Sequence, residues 1–213
     1  MATAQEIFAR LQSLVGDAVK DFTPAAVMPT PGPKVKNPDG PRDACCKVVP
    51  EKWHEVALAL RDDPALRFDF LQCVTGVDWP KQNQIQSVYH LFSYPLRHSF
   101  VVKADLPREN PVIASVADVW AAAEWSEREE FDLVGIGYLN HPDLRRVMLP
   151  DDWVGHPMRK DWKEPEKYRD MPTTRPNTLD MLPIYDKAPD DKKRLRVVTD
   201  DSGSAADDAE ASE

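Results

Sequence analysis

Acids, bases and histidines crowd into one stretch of this sequence. It runs from Trp120 to Trp162 and reads WAAAEWSEREEFDLVGIGYLNHPDLRRVMLPDDWVGHPMRKDW. It holds four of the six Trp, two of the five His, the run Glu127-Arg128-Glu129-Glu130 and the pair Arg145-Arg146. Several chemistries can be built from such residues. Paired carboxylates can pass protons, and Glu127 and Glu130 share one face of a helix. But Glu124, Arg128 and Asp132 fall on the adjoining i, i+4 row. Alternating charge at that spacing makes ion pairs within a helix, on a solvated or interface surface. Two His and a carboxylate can hold zinc or iron, and His141, His156, Asp143, Asp151 and Asp152 are the candidates. Each His precedes Pro in a loop, however, and no helical spacing orients the two. A His so placed more often donates to a backbone carbonyl. Gly135-Ile136-Gly137 begins a phosphate-cradling GxG, but Asn140 stands where the third Gly belongs, and a helix rather than a strand precedes it. There is no GxSxG, and no Cys in a setting that would lower its pKa.

Recognition chemistry remains. Trp120, Trp125, Phe131 and Tyr138 are large anchors, and Arg128, Arg145, Arg146 and Arg159 are planar forks. Such residues dominate protein–protein hot spots. The aromatics serve equally well as core; the Arg pair favours a partner.

These residues need a scaffold. Residues Thr3 to Lys20 space Ile7, Phe8, Leu11, Leu14, Val15, Ala18 and Val19 as one apolar stripe, which predicts an amphipathic helix. A Pro/Gly-rich connection follows, from Asp21 to Asp43. Ala44 to Val49 reads as a strand. Pro50 to Arg61 reads as a helix with Trp53, Val56, Ala57 and Leu60 facing in. Arg67 to Thr75 is a strand placing Phe68, Phe70 and Gln72 opposite Leu71 and Cys73, and Gly76 to Pro80 is a turn. Ile85 to Tyr94 and Arg97 to Leu106 form a hairpin. Ser115 caps a helix carrying Val116, Val119 and Trp120. This order predicts an α+β two-layer sandwich, helices on a mixed sheet. Beyond Pro150 an extended strap is expected, over 163–198, and then a disordered acidic tail, 199–213.

Composition narrows the class. The net charge is −9 from 36 acids and 27 bases, and the last fifteen residues carry six acids and no base. An acidic body argues against nucleic acid, which needs a basic face. No run approaches the roughly 18 apolar residues of a membrane span. Neither a signal peptide nor a transit sequence is recognisable at the N-terminus. Three Cys, with no CxxC, read as free thiols and are too few for a four-Cys cluster.

The charged stretch resembles the signature of the respiratory complex I 30 kDa subunit family, the C subunits of NADH-quinone oxidoreductase. The matching residues are Glu127-Arg128-Glu129-Glu130-Phe131-Asp132-Leu133, Gly135-Ile136, His141-Pro142-Asp143-Leu144-Arg145-Arg146, Leu149-Pro150-Asp151-Asp152-Trp153, Gly155-His156-Pro157 and Arg159-Lys160-Asp161. Upstream, Gly76-Val77-Asp78-Trp79-Pro80, Val88-Tyr89-His90-Leu91 and Ser115 to Trp120 are similar to family segments too. The resemblance covers Ala44 to Trp162. Asn140 departs from a usual Gly, but Asn also tolerates a left-handed backbone. Leu133-Val134 replaces a usual Met-Phe, apolar for apolar.

The resemblance implies a domain over 1–162, with the 21–43 insertion, in a structural subunit without catalytic, cofactor or metal residues of its own. FMN, iron–sulfur clusters and quinone would belong to partner subunits. The partners would be other hydrophilic-arm subunits, above all the large quinone-site subunit and neighbouring iron–sulfur subunits. Membrane association would be indirect, on the cytoplasmic side of the bacterial inner membrane. Glu127, Arg128, Glu129, Asp132, His141, Pro142, Arg145, Arg146, Asp152, Trp153, His156 and Arg159 are expected at contacts between subunits. Two alternatives stay open: the equivalent subunit of a membrane-bound hydrogenase or other-donor quinone reductase, and a metal-dependent hydrolase using His141, His156 and Asp151.

Overall fold

The computed structural model describes residues 3–25 and 43–173. The chain divides into two compact units, Met1–Glu164 and Pro165–Glu213. The first is the α+β sandwich. Helix α1 (Ala4–Val15) opens with a capping box between Thr3 and Glu6. It buries Ile7 and Leu11. It ends earlier than its apolar stripe predicts, because Gly16 takes φ +56. Ala18 and Val19 are buried as expected, but Val19 opens a strand, β1 (Val19–Thr23), inside the predicted connection.

Strand β2 (Cys45–Val48) leads through a 3-10 turn at Pro50–Lys52 into α2 (Trp53–Asp62). Trp53, Val56, Ala57 and Leu60 are all buried, the face the spacing predicts. Three long strands follow: β3 (Phe70–Trp79), β4 (Gln84–Ser93) and β5 (His98–Pro107). The sheet order is β1-β2-β5-β4-β3, with β2 parallel to β5 and the other pairs antiparallel. Two expectations fail in β3. Gly76 to Trp79 continue the strand, and the turn is Pro80 to Asn83, where Asn83 takes φ +52. The register shifts between Leu71 and Cys73, so Phe68 and Leu71 are buried while Phe70, Gln72 and Cys73 are exposed. A bulge breaks the two-residue alternation on which the facing was predicted.

Short strands β6 (Val112–Ala114) and β7 (Gly137–Leu139) pair in parallel and flank α3 (Ala123–Leu133). The helix begins seven residues later than predicted. Val116, Val119 and Trp120 are buried, but in turns, and the Trp120 indole donates to the Phe68 carbonyl at 2.8 Å. Cys45 and Cys46 are buried and Cys73 is exposed; burial pushes the Cys46 thiol up to about 12. Among the described residues no helix is long and apolar enough to cross a membrane.

In the second unit, the described residues form a small hairpin of β8 (Lys167–Tyr168) and β9 (Met171–Pro172). The rest of the predicted strap and the whole acidic tail lie outside the described residues.

Candidate functional site

The charged stretch folds as α3, β7 and a strap from His141 to Lys163 that returns across α3 and the end of β3. The expected ion pairs within α3 are absent among the described residues. Its acids turn inward instead. Glu127 and Asp132 are fully buried, and Glu130 and Arg128 nearly so; only Glu129 faces solvent. Each buried group holds a backbone segment far along the chain.

Glu127 accepts the Ser115 hydroxyl at 2.5 Å and the Val116 N–H at 2.9 Å, which fixes the turns before α3. Ser115 therefore caps no helix; it is spent on this carboxyl. Burial pushes Glu127 up to about 7, against the opposing pull of those two donors. Glu130 lies over Gly76 of β3, where a Cβ would come within 2.2 Å of its Oε2. Burial drives it up to about 7 as well.

Asp132 works on the strap. Its Oδ2 accepts the N–H groups of Val147, Met148 and Leu149 at 3.1, 2.8 and 2.8 Å, and its Oδ1 takes Arg146 at 2.8 Å. Burial would raise its pKa, but the three N–H groups and Arg146 outweigh that and hold it below the usual carboxylate range. The Asp132 carbonyl receives His156 Nδ1 at 2.9 Å, and the Glu124 carbonyl receives His141 Nε2 at 3.0 Å. A carbonyl only accepts, so each histidine is an N–H donor there. His141 Nδ1 in turn accepts the Asp143 N–H at 3.1 Å. Both rings are thus built into backbone contacts, as expected of a His before Pro. Among the described residues no group of three or more His, Cys, Asp or Glu is arranged to hold a metal.

The arginines divide. Arg128 donates to the Arg145 carbonyl at 3.2 Å and lies 4.7 Å over the Trp125 ring. Arg146 is spent on Asp132, and Arg159 donates to the Val134 carbonyl at 2.7 Å. The Arg145 side chain stays 72% exposed beside Asp143. Trp120 and Tyr138 are core, Trp125 is 61% exposed, and half-buried Trp153 stacks on Trp162. Pro142 and Asp152 are exposed.

Asp78 lies in a family-like segment but outside the expected site residues, and it anchors the strap. Its buried carboxylate takes a two-pronged contact from Arg108 at 2.7 and 2.9 Å and the Lys160 N–H at 2.8 Å. It pins the far end of the strap as Asp132 pins the near end. Its signals in the sequence are an acid in an apolar stretch and its place in the family-like segment Gly76 to Pro80. Two glycines seat the strap's rings: a Cβ on Gly135, at φ +82, would lie 2.6 Å from the His156 ring, and one on Gly155, at φ +83, would lie 2.8 Å from the Trp162 ring. Gly135→Ala should therefore cost about 1–3 kcal/mol, from backbone strain and the clash together. Urea unfolding would register the loss, and protease cuts within 146–162 should appear earlier.

The assembled site is a clamp. Two buried carboxylates and two histidines hold a strap whose Val147, Met148, Val154 and Met158 side chains point into solvent. The profile of one family, the respiratory-chain NADH dehydrogenase 30 Kd subunit, matches residues 46–168. The chain belongs to this family. The C subunit of an NADH-quinone oxidoreductase from Chlorobium phaeobacteroides is 43% identical over 119 residues, 55% of this chain and 72% of the relative. The corresponding C subunit of Chloroherpeton thalassium is 38% identical over 154 residues, 72% of this chain and 58% of the relative. A chain of an archaeal respiratory membrane complex, the membrane-bound sulfane sulfur reductase, is 22% identical with a TM-score of 0.59. That likeness, one of fold, covers 91% of this chain and 99% of the other. The family's matched span begins in β2 and ends in the β8 hairpin, so it takes in the whole clamp.

Proposed function

We propose that this 30 kDa family member is a structural subunit of the hydrophilic arm of a proton-translocating NADH:quinone oxidoreductase, on the cytoplasmic side of the membrane. It carries no redox group. FMN, iron–sulfur clusters and quinone sit in its partners, and the large quinone-site subunit lies against the strap. One observation carries this reading. The buried acids of the signature, Glu127, Glu130 and Asp132, position the chain's own backbone, while the strap presents apolar side chains outward. A catalytic carboxylate needs access to substrate; a docking segment needs a rigid backbone and exposed anchors.

Arg145 tests it. Its side chain is exposed and its ion pair is a local one, with Asp143 two residues away at 2.9 Å, so Arg145→Glu should lower the isolated chain's stability by no more than about 1 kcal/mol. In membranes, blue-native electrophoresis should show the assembled band reduced about tenfold or more, since a like charge set against a partner costs over about 1.4 kcal/mol. An undiminished band would remove Arg145 from the interface. NADH oxidation by the purified chain alone would overturn the structural role.

A further inference from the structure

The helices cover one face of the five-stranded sheet. The other face carries a separate apolar cluster, in which Cys45, Val88 and Val101 are buried and Val77 packs against them. Strand pairing assembles it. Cys45 stands beside Val101, Lys103 beside Val88, and His90 beside Val101. Strands β3, β4 and β5 are antiparallel, and the outer face of such a sheet ordinarily alternates to polar residues. Here the apolar side chains floor a groove of about 270 Å³ instead. Trp79, 44% exposed, lines it, and so do Lys103 and His90.

The two bases are the second observation. Among the described residues, the other buried or half-buried bases each hold a carboxylate or a carbonyl. Lys103 and His90 are half-buried and hold neither among those residues. Asp105, on the same side of β5 as Lys103, is already taken by Lys47 at 2.8 Å and Gln86 at 2.5 Å. Asp43 lines the groove but is exposed and makes no ion pair with Lys103.

Two spare bases over an apolar floor call for an acid with an apolar neighbour. Small-molecule pockets usually offer about 300–1,000 Å³, so this groove suits inserted side chains better than a free ligand. A second copy fits poorly, because a two-fold contact would set Lys103 and His90 against themselves. The chain's own residues 199–213 carry six acids but no large apolar side chain for the floor.

We propose that the sheet face opposite the helices is a second docking surface, whose groove receives a partner-subunit segment bearing an Asp or Glu beside an apolar side chain, the acid meeting Lys103 and His90. This rests on the reading of the chain as one subunit of an assembly, and adds a contact distinct from the strap, none of whose residues lines the groove. Lysine acetylation, read by mass spectrometry, tests it on the native complex. Lys103 should react about tenfold more slowly there than in the isolated chain, the ratio that corresponds to about 1.4 kcal/mol of contact. A water-soluble carbodiimide, which condenses an ammonium with a carboxylate it touches, should join Lys103 to an acid of a different polypeptide. Equal acetylation rates overturn the proposal, as does a link confined to this chain or to a second copy of it. Both readouts use the unaltered protein, so neither depends on a variant folding. Lys103→Glu should deplete the assembled band, and reversing the linked partner acid to Lys should restore it; no recovery would also overturn the proposal. If no large complex contains the chain, the subunit reading itself fails. If the complex forms and Lys103 reacts freely in it, only this surface fails.

Discussion

Asp132→Ala is expected to cost about 3–5 kcal/mol, the usual penalty for stripping a buried charge of its partner. The substitution leaves Arg146 and the N–H groups of residues 147–149 without their acceptor. Arg146→Met should cost less, because the carboxylate keeps its three N–H donors. Denaturant unfolding of both variants gives the comparison; an Asp132→Ala loss below that of Arg146→Met would contradict the assignment. The pH dependence has a definite sign. Asp132 sits below its unfolded pKa, so its contribution is complete above that value and disappears as pH falls through the folded one. The loss therefore falls on the acid side of the ordinary aspartate range.

Glu127 and Glu130 act in the opposite direction. Burial raises both from 4.5 to about 7, and no Lys or Arg pairs with either among the described residues. Asp118 near Glu127 and Glu129 near Glu130 add to the rise. An acid raised in the folded state favours folding only when protonated. Its full contribution is present below 4.5, declines between 4.5 and 7, and is gone above. Each residue thus costs about 3 kcal/mol at about pH 8 relative to about pH 4. Glu130→Gln should remove about half of that slope, raising stability by about 2–3 kcal/mol at about pH 8 and leaving the acid end unchanged. Stability curves at both pH values decide it; an unaltered slope in the variant would mean that Glu130 is ionised in the fold. These two acids therefore oppose folding above their ordinary range, whereas Asp78 and Asp132, held low, weaken it only in stronger acid.

Much of the scaffold can be read from spacing. The inward face of α2 and the β4–β5 hairpin follow from strong periodicity, and the left-handed Asn140, at φ +62, follows from residue chemistry. Strands β1, β6 and β7 escape such a reading because three to five residues show no period of their own; pairing with distant strands makes them. The α3 acids mislead for a related reason. Spacing of three and four places charges side by side on a helix, but it does not say whether that face is wet. The partners that bury them lie 11 to 17 residues away for Glu127 and Asp132, and 82 away for Asp78 and Lys160. The overlap of the α3 signature with a known family pointed to docking; the inward commitment of its acids is visible only once the strap folds back.

The pairing of β1 with β2 has a consequence for closing the chain. Thr23 and Cys45 are cross-strand partners, so the chain leaves the sheet and returns to it one strand apart. Whatever joins them closes a gap of about 5 Å. Closure entropy rises by only about 0.6 kcal/mol for each doubling of length. The closure cost of the connection between Thr23 and Cys45 is therefore set mainly by its ends and only weakly by its length. The two ends lie at the β1 edge of the sheet, opposite the β3 edge on which α3 packs.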